Sequence, residues 1–199
     1  MTETNIDIID RLAGASEGAR LEPLRARRPV TKAQAQQSYL ALFEPTSVAD
    51  VSLSERLAVA TFVALLHGDA VAAGHYGGLL ADAKSGPAIA VAIDTAAKAA
   101  TARGPYGHFP AGPLSTQAQA GPVYQVAVAE AAILGPRLAA ALEHTHLLVF
   151  HPRDSSPEAL QRLIDAGWSA NGIVTLSQLV SFLAFQLRVV SGLRALVAA

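Results

Sequence analysis

The amino-acid sequence predicts an all-α protein, and three observations carry that prediction. Of the 199 residues, 51% are hydrophobic but only 6% are aromatic, and alanine and leucine outweigh the β-branched residues that favour strands. Helix-start patterns recur along the chain, each followed by an apolar, helix-forming run. Breakers gather between these runs, most densely over 104–122. The length suits a single domain, 1–199, that can bury a core without a disulfide or a metal.

A short helix is expected from Ile6 to Leu12, followed by a Gly-, Pro- and Arg-rich loop to Val30, so that 1–30 forms an N-terminal helix and loop. Thr31 and Gln34 stand at capping-box spacing and open a helix through about Phe43, which Pro45 ends. Ser52 and Glu55 repeat that signature. The apolar residues after them, Leu53, Leu57, Val59, Phe62, Val63, Leu65 and Leu66, cover most of a helix circumference and predict burial on several sides. Gly68 is the expected stop and Asp69 the cap of a second helix to about Ala83, which makes His67-Gly68-Asp69 a tight corner. Ile89 to Ala102 reads as an alanine-rich helix.

Gly104 to Pro122 holds Pro105, Gly107, Pro110, Gly112, Pro113, Gly121 and Pro122 and no charged residue, too many breakers for a regular element. It reads as an ordered loop or a mobile lid between two helical parts. Helices resume over Val123 to Leu134 and Leu138 to Phe150, with Gly135-Pro136 as stop and start. Ser156-Pro157-Glu158 opens a short helix to Ala166, closed by Gly167. The last helix, about Asn171 to Leu196, carries Ile173, Leu176, Val180, Leu183, Leu187 and Val190 at spacings of three and four. Phe182, Phe185 and Val189 lie off that stripe and predict a second buried face, in an oligomer interface or at the centre of one subunit.

A formal net charge of −1 provides no field for nucleic acid or an anionic membrane, so neither partner is expected. The cluster Arg20, Arg25, Arg27 and Arg28 reads as a turn on a solvated face rather than a phosphate site. The charge-free run Gly172 to Leu187 is shorter than the ~18 apolar residues of a membrane span and reads as a buried helix. No basic region precedes an apolar run at the N-terminus, so no signal peptide is expected and the cytoplasm is the expected location. The chain has no cysteine, which excludes disulfides, thiolate metal ligands and thiol nucleophiles.

Two segments resemble a known family. The first is Leu53-Ser54-Glu55-Arg56-Leu57-Ala58 leading to Leu66-His67-Gly68-Asp69-Ala70-Val71-Ala72-Ala73-Gly74-His75-Tyr76. The second is Ala166-Gly167-Trp168-Ser169 followed by Ile173 to Leu193, with Phe185-Gln186-Leu187-Arg188-Val189-Val190. They are similar to the core helix pair and the terminal helix of the carboxymuconolactone decarboxylase and alkylhydroperoxidase (AhpD-like) family, in its peroxidase-related subgroup. The resemblance implies an AhpD-like helical bundle with a core helix pair, a long C-terminal helix and assembly as a homo-oligomer (dimer, trimer or hexamer). Mapped onto this chain, the family's two cysteines fall on Asp69 and Ala72, its relay Glu on Leu57 and its catalytic His on Tyr76. Thiol peroxidase chemistry needs a thiolate that attacks peroxide and a second thiol that closes the disulfide. It is therefore not expected here.

The family's decarboxylase branch does not depend on those thiols. Acid–base work would need a His or carboxylate in a partly apolar pocket, and the candidates are His75, Asp69 and Tyr76, with Glu55. Steps of three and seven residues put 69, 72 and 76 on one helix side, with His75 at its edge. The plainer alternative is that Asp69 only caps a helix and His75 makes one hydrogen bond. Glu143, His144, His146 and His151 suggest a metal, but a two-residue helical step turns side chains about 200° apart, so a structural role is expected, with no metal and no cofactor. His108, with Tyr106 and Phe109, belongs to a lid or to an aromatic staple that pins the loop. Trp168 is expected to plug the end of the last helix. The expected function is a binding or accessory role toward a small apolar or carboxylate ligand. The alternatives are a cysteine-independent lyase or isomerase that acts on a small lactone or keto acid through His75, and a purely structural oligomerisation module.

Overall fold

The computed structural model describes residues 7–14, 18–83 and 86–198. Its helices are α1 (Ile8–Gly14), α2 (Gly18–Ala26), α3 (Pro29–Phe43), α4 (Leu53–Leu66), α5 (Ala70–Ala81), α6 (Gly86–Ala100), α7 (Val128–Phe150), α8 (Pro157–Asp165) and α9 (Ala170–Ala198), with no strand among the described residues. The all-α prediction is met. The expected start at Ile6 and the side chain of Arg20 lie outside the described residues.

Helix α4 is the axis of the molecule. Every residue from Arg56 to Ala64 is buried, and the helix packs against α5, α6, α7 and α9, as an apolar circumference demands. Its start is the capping box read in the sequence: Ser52 Oγ accepts from the Glu55 N–H at 3.2 Å and Glu55 Oε2 accepts from the Ser52 N–H at 2.8 Å. Arg56 is buried with its charge solvated by the carbonyls of Val51 and Leu42 at 3.1 and 3.0 Å. The corner forms as expected, with Gly68 at φ 68°, where a side chain would be strained, and Asp69 Oδ1 capping the Ala72 N–H at 3.0 Å.

Helices α2, α3, α6 and α7 depart from the sequence expectation, α6 by running Gly86–Ala100 instead of Ile89 to Ala102. Residues 18–26 form α2 rather than loop, with Pro23 inside the helix. Tertiary contacts override the break: Leu21 is buried, and Arg25, also buried, pairs with Asp7 at 2.8 Å and Asp10 at 2.9 Å. Among the described side chains of the basic cluster, Arg27 and Arg28 show the expected solvated face and Arg25 does not. Helix α3 starts at Pro29 instead of Thr31, because proline has no N–H to leave unpaired and has φ preset for a first helical turn.

Residues 123–127 form no helix and α7 begins only at Val128. The Val126 N–H is taken by Glu143 Oε1 at 3.0 Å and the Tyr124 hydroxyl donates to the Ala96 carbonyl at 3.2 Å, so this stretch is tied across the helices instead of coiling. Gly135, at φ 75°, then breaks α7 before Pro136. The stripe of α9 from Ile173 to Val190 is buried as predicted; on the second face Phe182 and Val189 are partly buried and Phe185 is 40% exposed, so a central position within one subunit covers that face only in part. By length and composition α9 could cross a membrane. In this fold its stripe packs on α1, α4 and α7 as a core helix.

Candidate functional site

At the helix-pair corner the side chains named by the sequence serve the fold. Both oxygens of Asp69 are engaged, with Arg194 at 2.9 and 3.3 Å as well as the Ala72 N–H; Arg194 also donates to the Leu12 carbonyl at 2.6 Å, so the corner is clamped to α1 and α9. Ala72 and Leu57 are buried. Tyr76 is fully buried, donates to Gln186 Oε1 at 2.6 Å and stacks on Phe43 at 5.0 Å. Burial holds its hydroxyl far above the ordinary tyrosine range, so it stays protonated.

His75 is half-buried, with Nε2 3.3 Å from the Tyr39 hydroxyl and its ring edge-on to Tyr76 at 4.9 Å. Burial, with a contribution from Arg11, pushes the imidazole pKa down. Glu55 lies at the other end of α4, where Oε1 meets Arg137 Nε at 2.6 Å. The structure thus brings His75 and Tyr76 together and sends Asp69 and Glu55 to separate joints. A cavity of about 490 Å³ opens at the corner, and of the four candidates it reaches Asp69 alone.

A larger cavity, about 640 Å³, lies between α7, α8 and the 104–127 segment, and four histidines line it: His108, His144, His146 and His151. His146 is 2% exposed, and its Nε2 donates to the Ala100 carbonyl at 3.1 Å. Burial, helped by the neighbouring His151, pushes it down to about 4. His151 donates from Nδ1 to Asp154 Oδ2 at 3.2 Å. The other Asp154 oxygen takes the His108 N–H at 2.9 Å and its ring Nδ1 at 3.1 Å, and these His108 bonds hold the Asp154 carboxyl below the usual range. Burial, then Arg162, lowers His144. One nitrogen of each buried ring, His144 Nδ1, His146 Nδ1 and His151 Nε2, is buried without a hydrogen-bond partner.

The helical turn separates His144 from His146 as expected. His146 faces Tyr124 and Phe150, with ring centroids at 5.1 and 4.8 Å, whereas His144 is influenced by Arg162 of α8. Both histidines nevertheless line the same cavity. Among the described residues no group of three His, Asp or Glu side chains is placed to hold a metal ion. The loop is stapled to the body: the Tyr106 N–H donates to the Phe150 carbonyl at 2.7 Å and Phe109 lies under the Arg153 guanidinium at 4.0 Å.

Sequence reasoning missed Asp154, Tyr124, Gln186, Arg137 and Arg194 as partners. Asp154 had a local signal, three residues after His151 at a helix exit. Gln186 had none, since it lies 110 residues from Tyr76. No family model, curated protein or solved structure matches the chain.

Proposed function

We propose that this chain is a cysteine-less AhpD-like protein that lacks thiol peroxidase activity and binds a small molecule in the histidine-lined cleft. The carrying observation is that three imidazoles of α7 and its exit line one cavity and that each has a buried nitrogen without a hydrogen-bond partner. Each such atom costs about 1–3 kcal/mol relative to a paired one, and a cavity of this size and polarity is that of a ligand site. The helix-pair positions supply no thiol and hold Asp69 and Tyr76 in structural bonds, which supports a binding or accessory role over peroxide chemistry.

Two measurements test the reading. Metal-stripped protein is expected to leave an organic hydroperoxide unconsumed; turnover at a thiol-enzyme rate contradicts it. In a ligand-detected NMR screen of a small-molecule library, compounds that bind the native protein should compete with one another and be lost in Ala140→Trp, which fills the cleft. A library with no member lost in that folded variant sinks the cleft.

A second reading keeps acid–base chemistry at the helix pair, a lyase or isomerase acting on a small lactone or keto acid. The Tyr39 hydroxyl beside His75 favours it, and such activity should collapse in His75→Ala and survive Ala140→Trp. Homo-oligomer formation belongs to the same proposal and is supported by Phe185 and Val174 on the outer side of α9 and Val30 on α3, all exposed. A monomer by light scattering removes that part.

A further inference from the structure

The reading of the cleft as a ligand site leaves its ligand chemistry open, and the hydrogen-bond directions on its wall restrict that chemistry. An imidazole with its proton on one nitrogen presents a lone pair on the other. His146 has its proton on Nε2, given to the Ala100 carbonyl, so Nδ1 is an acceptor. His151 has its proton on Nδ1, given to Asp154, so Nε2 is an acceptor. These two rings are neighbours, with centroids 6.0 Å apart, and neither acceptor has a protein donor. Glu143 adds a carboxylate on the same wall: one oxygen takes the Val126 N–H at 3.0 Å, and the group has no ion pair among the described residues. The Tyr124 hydroxyl is spent on the Ala96 carbonyl. On the other side of the balance stands Arg162, a solvent-exposed cation on the cavity lining.

Among the groups whose roles these bonds fix, two buried acceptors stand without a protein donor, and the Glu143 carboxylate has the Val126 N–H. A carboxylate or phosphate would meet Glu143 and Asp154, against Arg162 and the neutral groups of Gln125, Ser156 and His144 on the same lining. We infer that the cleft binds a small primary amine as its ammonium ion, with Glu143 countering the charge and His146 Nδ1 and His151 Nε2 accepting its N–H groups. An ammonium has three donors and no acceptor, the complement of this wall. This inference rests on the cleft reading above and departs from the carboxylate that the resemblance suggested.

Both acceptor nitrogens are buried, and Gly121 packs on the His151 ring so closely that a Cβ would come within 2.7 Å of it. Binding at His151 therefore requires Gly121 to move off the ring, and that movement is part of the proposal.

Three probes of nearly one shape, benzylamine, benzyl alcohol and benzoate, test the charge rule by calorimetric titration at neutral pH. Benzylamine should bind more tightly than benzyl alcohol, and benzoate should not bind. Glu143→Gln, which keeps the acceptor for Val126, should weaken benzylamine about tenfold or more while leaving benzyl alcohol unchanged. Benzoate or benzyl alcohol binding as well as the amine, or an unchanged amine affinity in Glu143→Gln, overturns the ammonium assignment. If that binding is still lost in Ala140→Trp, the cleft survives as a ligand site with a different ligand. Absence of binding by all three probes at millimolar concentration likewise overturns the ammonium assignment, whereas the cleft itself is decided by the library screen.

Discussion

At the scale of single residues, the position that the resemblance assigns to a catalytic histidine holds Tyr76, and its chemistry is that of a buried hydrogen bond. Tyr76 and Gln186 are both fully buried, and the 2.6 Å bond between them joins α5 to α9. The Gln186 amide nitrogen has no partner, so the glutamine already bears an unpaired group and depends on the tyrosine for its oxygen. Tyr76→Phe should therefore destabilise the fold by about 1–3 kcal/mol, the range for leaving a buried acceptor unpaired. Adding Gln186→Leu should recover much of that loss, since removing both partners removes the unpaired atoms. Urea unfolding of the two variants gives both numbers; a double variant no more stable than Tyr76→Phe would mean that packing, and not the hydrogen bond, sets the cost.

At the scale of elements, Arg137 is the joint on which the two helical parts meet. Its guanidinium reaches Glu55 at the start of α4, the Asp50 carbonyl at 2.6 Å and the Gly167 carbonyl before α9, and it lies 4.1 Å over the Trp168 ring. Trp168 closes the joint by donating from Nε1 to the Arg137 carbonyl at 2.9 Å. A lysine carries a point charge on a flexible stem and cannot serve three acceptors in one plane while stacking on an indole. Arg137→Lys should thus behave nearly as Arg137→Met, each losing about 1–3 kcal/mol in denaturant unfolding; retention of full stability by the lysine variant would reduce the joint to simple charge. The α4 cap is a separate contribution. Ser52→Ala should cost about 1 kcal/mol by the same measurement, and a neutral result would show that the Glu55–Arg137 pair alone fixes this end of the helix.

At the scale of the whole molecule, pH stability follows from buried imidazoles. His67, His75, His144 and His146 are all pushed below the ordinary histidine range, chiefly by burial, and His146 falls to about 4. The unfolded chain takes up protons on these groups before the folded chain does, so the stability that they contribute is fully present above about pH 6.5 and is lost as pH falls toward 4. The urea midpoint should be lower near pH 5 than at neutral pH, with a smaller drop in His146→Gln; an equal drop in both proteins would place the proton uptake elsewhere. Much of this architecture was legible in the chain: the caps at Ser52, Asp69 and Ser156, the corner at Gly68, the break at Gly135 and the inner stripe of α9 all depend on neighbours within a few residues. Helix α2 was not legible, because Arg25 pairs with carboxylates 15 and 18 residues away. The cleft was only half legible. The spacing of His144 and His146 did separate them around α7, but nothing local shows that residues of 120–125 and of α8 join this end of α7 in lining one cavity. By itself the sequence determined the helical class, most helix ends and the absence of cysteine, since these follow from local sterics, short-range caps and composition. Only the tertiary structure decided that Asp69 and Tyr76 bind α9 and that the unpaired acceptors gather on α7, because those outcomes depend on which distant donors the fold brings within reach.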